Sequence, residues 1–142
     1  MQGTVRFGDI TTRFVHVDPA SPHALLEWVA APGTPSPPLH IHHRTDEGFY
    51  IQSGSFTFLV DGERIEASSG EYVFVPKGVP HAFWNSSHQT STCLITISPP
   101  GFEAYFRELA RRFGSVGSEE EATELRRELG ARHDIDVVGP PP

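Results

Sequence analysis

The sequence has almost no cysteine and no long apolar run. Cys93 is the single cysteine among 142 residues, so an internal disulfide is excluded. It lies in an apolar segment with no basic residue near it in sequence, which predicts a buried thiol rather than a catalytic one. No apolar stretch approaches the roughly 20 residues of a membrane-spanning helix, and no signal peptide is recognisable. These absences predict a soluble, cytoplasmic protein without a membrane partner.

Positive charge is also scarce. Lysine and arginine total 11 against 18 aspartates and glutamates, which gives a net charge of −7. Phosphate binding needs clustered basic residues, and the chain has neither a basic patch nor a helix-turn-helix segment. The charge therefore argues against a nucleic-acid partner. The length predicts one domain over residues 1–142, and 10 Phe, 3 Tyr and 2 Trp can supply large buried surfaces.

Turn-forming residues are plentiful, with 13 glycines and 13 prolines. Between them lie short apolar or alternating segments of the kind that forms strands. These segments are residues 13–17, 24–30, 49–52, 56–60, 64–67, 72–75, 81–84 and 92–97. Asp61-Gly62 is a strong signal for a hairpin turn. The pattern predicts an all-β sandwich or small barrel over residues 1–98.

The pattern changes to helical spacing at about residue 99. One apolar face is made by Phe102, Tyr105, Phe106, Leu109 and Phe113, and Gly114 ends this first predicted helix. A second helix is predicted from Ser118, which forms a capping box with Glu121, to Gly130. Residues 135–142 are predicted to be extended. Residues 99–142 are therefore expected to form two short helices and a tail.

Three histidines and a carboxylate form a candidate metal site. Alternate residues of a strand share a face, so His40 and His42 are expected to project together. Glu47 or its neighbour Asp46 could add an oxygen ligand, and His81 follows a prolyl turn. Imidazole and carboxylate suit one divalent transition metal ion, such as Fe, Ni, Mn, Co or Zn. The sequence therefore predicts one such ion per chain.

The spacing of these residues resembles the two motifs of the cupin superfamily. The segments that carry the resemblance are Gly33-x6-His40-x-His42-x4-Glu47-x6-Gly54 and Gly70-x5-Pro76-x-Gly78-x2-His81-x3-Asn85. The one departure is six residues, rather than five, between Gly33 and His40. The resemblance implies a double-stranded β-helix barrel, a jelly-roll-like fold, with the metal bound by His40, His42, Glu47 and His81. It also favours Glu47 over Asp46 as the carboxylate ligand.

The C-terminal segment is similar to that of small single-domain cupins described as quercetin-dioxygenase-like. This resemblance implies a metal-dependent dioxygenase, an oxidoreductase that acts on a small aromatic or polyphenol-like substrate, with Glu47 as both ligand and catalytic base. A polyketide cyclase or isomerase without redox chemistry is the second hypothesis. A cupin that binds a small molecule without catalysis is the third. Residue spacing does not separate them, because one fold and one metal site support many reactions.

Several neighbouring residues have two interpretations. Phe49 with Ile51, Phe56 with Phe58, and Phe83 could line an apolar pocket above the metal or form ordinary barrel core. Alternation predicts that His43 faces solvent, and Asn85 is expected to stabilise a turn.

Many short strands leave exposed edges, which predicts a homodimer. The segments 14–17 and 24–30 are the candidate contact strands.

Overall fold

A computed structural model describes residues 3–142. This part of the chain forms eleven strands and two α-helices. The strands are β1 (Gly3–Phe7), β2 (Ile10–His16), β3 (Ala24–Ala30), β4 (His40–Ile41), β5 (Asp46–Ser53), β6 (Ser55–Val60), β7 (Glu63–Ser68), β8 (Tyr72–Val75), β9 (His81–Trp84), β10 (Ser91–Ser98) and β11 (Asp136–Val137). The helices are α1 (Ala104–Arg112) and α2 (Glu119–Gly130).

The strands form two antiparallel sheets. One sheet has the order β1-β2-β3-β10-β5-β8, and the other has the order β11-β4-β9-β6-β7. This arrangement confirms the predicted all-β fold with two short helices. It corrects the expectation that the segments 14–17 and 24–30 have exposed edges, because β2 and β3 have hydrogen-bonded partners on both sides. The segments 14–17 and 24–30 therefore present no free edge, and within the described residues the outer strands are β1, β8, β11 and β7.

Alternating side chains of the central strands fill the space between the sheets. In β3 every second residue is buried, and Leu26 is fully enclosed. The paired strand β10 buries Cys93, Ile95 and Ile97 in the same way. Each large apolar side chain removed from water contributes about 1.5–3 kcal/mol. Burial also raises the pKa of the Cys93 thiol well above its ordinary value, as expected for a structural cysteine.

The hairpin between β6 and β7 forms at the predicted dipeptide. Asp61 and Gly62 both have positive φ, at 50° and 81°. Two successive residues with positive φ match the right-handed twist of the flanking strands, which explains the preference for Asp-Gly at this turn. The strands on each side pair from Val60 with Glu63 to Ser55 with Ser68.

The two helices pack against the barrel. Tyr105 and Leu109 of α1 and Leu129 of α2 belong to the same buried cluster as Phe7 of β1. Ser118 caps α2 as predicted, because its hydroxyl accepts the N–H of Glu121 at 3.1 Å. No helix within residues 3–142 is both long and apolar enough to cross a membrane.

The helix boundaries differ slightly from the prediction. The first helix begins at Ala104, so Phe102 precedes it, and Phe113 begins a short 3-10 turn that ends at Ser115. The tail forms β11, which pairs Asp136 with Ile41 and Val137 with His40. The sequence predicted an extended tail but not this pairing. As a result, the last strand lies directly beside the candidate metal site.

Candidate metal centre

The three predicted histidines come together at one end of the five-stranded sheet. His40 begins β4 and lies opposite His81, which begins β9. His42 follows β4 directly. One ring nitrogen from each histidine lies within 4.8 Å of the other two. The strand pairing therefore joins histidines that are about forty residues apart in the sequence.

A backbone carbonyl holds the Nδ1 atom of each imidazole. The contacts are His40 to the oxygen of Pro38 at 2.8 Å, His42 to that of Asp134 at 2.8 Å, and His81 to that of Val79 at 2.9 Å. A carbonyl oxygen can only accept a hydrogen bond, so each Nδ1 carries the proton. In the neutral rings the free lone pair is then on Nε2. This tautomer is the one in which all three rings offer Nε2 as a metal ligand.

Glu47 reaches the same point from the other sheet. Its Oε1 atom lies 3.0 Å from Nε2 of His42 and 3.0 Å from Nε2 of His81. Asp46, the competing carboxylate, instead accepts the backbone N–H of Lys77 at 2.8 Å. The structure thus brings together the four residues that the sequence analysis selected, while the Asp46 carboxylate binds the prolyl turn instead.

The donor set fits a divalent metal ion. The carboxylate oxygen of Glu47 and the Nε2 lone pairs of His42 and His81 all point to one buried position. Such electron-rich atoms repel one another unless a cation, either a proton or a metal ion, lies between them. Ligand atoms held at about 2.1 Å from an ion and at right angles lie about 3 Å apart. The observed separations match that spacing.

The electrostatics of the centre keep Glu47 ionised. Burial alone would raise the pKa of its carboxyl group, but His42 and His81 hold that pKa well below its usual range. Burial would lower the pKa of His42, yet Glu47 and the Asp134 carbonyl outweigh it, and the pKa of His42 is raised. Burial and the two neighbouring rings lower the pKa of His40 well below its ordinary value. A neutral His40 keeps the lone pair that metal binding needs.

The C-terminal segment encloses His42. The Phe102 ring stacks on the His42 ring, with centroids 4.1 Å apart and planes 13° from parallel. The Asp134 carbonyl accepts a hydrogen bond from Nδ1 at the edge of the same ring. The Asp134 carboxylate also accepts from the backbone N–H groups of His43 and Arg44 and from the hydroxyl of Thr45, each at 3.0 Å.

Sequence analysis missed Phe102 and Asp134 as parts of the site. Phe102 matched the apolar face of a helix, and Asp134 is 92 residues from its hydrogen-bond partner His42. The one local sign is backbone conformation, because Asp134 has φ of 58°, which favours Asp, Asn or Gly. That sign is visible only in the structure.

The second motif is tied to the first by a backbone contact. Gly78 has φ of +82° in the prolyl turn, and its N–H donates to the His42 carbonyl at 2.7 Å. A residue with a Cβ would be strained at this φ, which explains the glycine. The turn thus positions the peptide that carries His42 as well as the strand that carries His81.

His43 and Asn85 have the predicted structural roles. His43 is exposed, and its Nε2 lies 2.9 Å from Asp136 Oδ2. Asn85 is fully buried, and its Oδ1 accepts from the N–H of Ser87 two residues on, as in an Asx turn. Its amide also donates to the carbonyls of Ala30 and Ala31, which joins the end of β9 to the end of β3.

A cavity of about 190 Å³ opens beside the candidate metal centre. Of the aromatic residues with two interpretations, Phe56 and Phe83 line the cavity, whereas Phe49 and Phe58, like Ile51, are barrel core that does not line it. The wall that the sequence analysis missed comes from β3 and the segment of residues 102–126, which contains α1 and the start of α2. It includes Trp28, Phe102, Tyr105, Phe106, Phe113 and Arg126. The helices therefore form part of the binding space as well as part of the core.

Comparison with known families agrees with the fold and the motif spacing. The sequence profile of the cupin domain matches residues 26–98, which is more than half of the chain. The chain belongs to the cupin family. The matched region contains His40, His42, Glu47 and His81 and ends with β10. The C-terminal helices of this cupin lie outside it.

Its similarity to individual proteins is partial. The quercetin 2,3-dioxygenase of Bacillus subtilis is 42% identical over 60 residues, which are 42% of this chain and 18% of that enzyme. The matched part is therefore under a fifth of the Bacillus protein. The solved polyketide cyclase RemF from Streptomyces resistomycificus is 29% identical, with a TM-score of 0.56, over 66% of this cupin and 70% of that chain. A Streptomyces nucleoside dehydratase shares the fold at 15% identity, with a TM-score of 0.57 over 69% and 76% of the two chains.

Proposed function

We propose that this cupin is a metal-dependent enzyme that acts on a small, oxygen-bearing aromatic molecule, in the manner of a quercetinase-like dioxygenase. The observation that carries the proposal is the position of the His40, His42, His81 and Glu47 cluster at the wall of an aromatic cavity. Aromatic walls with a few convergent polar groups are typical of small-molecule sites. The local identity to the Bacillus dioxygenase supports the oxygen-dependent reaction.

His40, His42, His81 and Glu47 would hold the ion. A divalent transition metal ion bound there would supply Lewis acidity and, where it is redox-active, electron transfer. The chain keeps the three rings oriented through the Nδ1 contacts, so binding needs little rearrangement. The buried, aromatic surroundings exclude water from the reacting atoms.

Glu47 is the proposed proton acceptor. His42 and His81 hold its pKa below the usual range, so the carboxylate is ionised at neutral pH and has no proton to donate. To accept a proton from a substrate hydroxyl it must first leave these two imidazoles, which make it a weak base where it lies. Its Oε1 lies at the centre of the cluster, where a hydroxyl group bound beside the histidines would meet it. A carboxylate that binds a metal and also takes a proton must move as the substrate enters.

A polyketide cyclase or a related isomerase is the second candidate. The specific support is RemF, because that likeness extends over 66% of this chain whereas the dioxygenase match extends over 42%. In that reaction the site would polarise a carbonyl group and move protons without oxygen. The aromatic cavity and the histidine cluster serve either reaction.

The deciding experiment combines metal analysis with oxygen dependence. Protein purified without added metal is analysed for Fe, Mn, Co, Ni and Zn, and flavonols, simpler phenols and polyketide-like phenols are screened with and without oxygen. The dioxygenase proposal expects a redox-active ion and turnover that stops without oxygen. Tightly held zinc with oxygen-independent turnover would support the cyclase instead. Metal and substrate binding without turnover would identify a binding module and reject both reactions.

A further inference from the structure

The cavity wall carries one cationic side chain, Arg126, among the residues that the structure describes. Away from the histidine cluster, the surrounding wall is largely aromatic and includes Trp28, Phe106 and Phe113. Arg126 comes from α2 and is half-buried, with its guanidinium carbon 5.8 Å from the centre of the Phe113 ring. A guanidinium at the wall of an apolar space favours an anionic ligand, because desolvation strengthens its attraction for negative charge.

Arg126 has no carboxylate ion-pair partner within residues 3–142. The nearby arginines differ, since Arg112 and Arg132 both pair with Glu128. The positions three and four residues away on the helix carry Ala122, Thr123, Leu129 and Gly130, none of which has a charge. Helix α2 is rich in glutamate, yet among residues 3–142 no carboxylate pairs with this guanidinium, so its charge is available to an anionic ligand.

Tyr105 lies beside Arg126 and adds a hydroxyl to the same part of the wall. The Tyr105 side chain is 3% exposed. Both side chains line the cavity. Burial raises the pKa of the Tyr105 hydroxyl, and the nearby Arg126 guanidinium opposes that rise. A hydroxyl that stays protonated can donate to a carboxylate or phenolate oxygen. Asp9 also lines the cavity, but its side chain is exposed to solvent.

The volume of the cavity matches one enclosed aromatic ring. A cavity of about 150 Å³ accommodates benzene in an engineered protein, and this one measures about 190 Å³. The difference allows a few substituent atoms on a single ring. A flavonol, with two fused rings and a third attached, needs considerably more space. The size thus favours a smaller molecule than the name of the Bacillus relative suggests.

We propose that the cavity binds a single-ring aromatic anion whose negative group is held by Arg126 and Tyr105. This inference rests on the proposed function, since it assigns the substrate class of the same cavity. The aromatic wall would enclose the ring, and the opposite substituents would face the histidine cluster. Arg126 and Tyr105 are then specificity-determining residues that the cupin motifs do not contain.

Calorimetric titration with benzoate and benzamide tests this assignment. The two probes have nearly the same shape and differ in charge, and they are titrated at millimolar concentrations into the purified, metal-containing protein. We expect saturable benzoate binding at least about tenfold tighter than benzamide binding, the scale of a hydrogen bond to a charged group. Arg126→Gln should abolish this preference, and Tyr105→Phe should reduce it severalfold.

The controls separate the substrate class from the proposed reaction. Arg111→Gln removes an exposed arginine of α1 and should leave the preference unchanged. If Arg126→Gln does not fold, the Tyr105→Phe variant still decides, because benzoate that is held by the metal ion alone would keep its full preference in that variant. Equal affinity for both probes, no saturable benzoate binding, or an unchanged preference in folded Arg126→Gln would overturn the inference. Metal content is measured on the same samples, so protein that holds its ion but fails to discriminate refutes the substrate class alone.

Discussion

A backbone carbonyl orients each imidazole of the centre for metal binding. The loss of one of these histidines should therefore reduce metal binding more than it changes the fold. Replacing His42 or His81 by Ala removes one ligand and one of the two imidazole contacts of Glu47 Oε1. We expect metal to fall to well under one ion per chain, while the far-ultraviolet circular dichroism remains that of a β-rich fold. His43→Ala, which changes the exposed neighbour, should retain metal. Full metal in both ligand variants would refute the assignment.

Glu47 is expected to affect turnover more than metal content. Glu47→Gln nearly preserves the shape but removes the charge and the basic oxygen. Because three imidazoles remain, metal affinity should weaken moderately, whereas turnover should fall on the order of 10²-fold or more, as is usual for the loss of a general base. Turnover is compared at equal metal content, on a substrate found in the screen. Oxygen uptake that survives unchanged in the variant would rule out Glu47 as the base.

At the scale of elements, the tail between α2 and β11 supports the metal site. Asp134 accepts three hydrogen bonds from the 43–45 segment through its carboxylate and one from His42 through its carbonyl. Asp134→Asn tolerates the positive φ but loses one acceptor oxygen, whereas Asp134→Ala also strains the backbone. We expect metal affinity to fall about 10–100-fold, the usual scale for groups that orient a ligand, with Ala worse than Asn. Metal competition titrations measure this, and equal affinity in all three proteins would contradict it.

The strands were predictable because local chemistry determines them. A few neighbouring residues are enough to predict the alternating strand at 24–30, the turn at Asp61-Gly62 and the strand at 72–75 between its two turns. Strands β3 and β8 have the predicted bounds. The ligand histidines were predictable from their spacing. The contacts of Phe102 and Asp134 with His42 were not, because they depend on how a segment after the barrel folds back across the sequence. The position of Arg126 at the cavity wall was unpredictable for the same reason, because the sequence alone places it only on α2.

At the scale of the whole molecule, metal binding should add stability without being required for folding. The buried cluster that extends from Phe7 to Ile135 packs through apolar side chains, so it needs no metal ion to form. Binding to the folded state alone stabilises it by about 2.7 kcal/mol at a free metal concentration 100 times the dissociation constant. We expect chelation to lower the midpoint of thermal unfolding by several degrees while the circular dichroism at 25 °C is unchanged. Unfolding on chelation at that temperature would contradict this.

The homodimer remains a prediction, and the structure changes the strands that would carry it. The outer strand β8 exposes Tyr72 and Phe74, at 58% and 51%, whereas β2 and β3 lie inside their sheet. Light scattering at micromolar concentrations should give the mass of a dimer. Phe74→Glu should lower that mass if β8 is in the contact, while Val138→Glu, at another exposed apolar residue, should not. A monomer mass for the wild type would refute the dimer.

Phe102 and Asp134, which both contact the His42 ring, follow the barrel in sequence and lie outside the cupin motifs. The electronic properties of His42 as a ligand therefore depend in part on the C-terminal segment. A carbonyl that accepts a hydrogen bond from Nδ1–H makes the ring a better electron donor, and the hydrophobic shell around a site shifts its redox potential. Two proteins with identical histidines and glutamate but unlike C-terminal segments would therefore differ in the potential of the same ion. Divergence after residue 98 could change the reaction while every ligand stays in place.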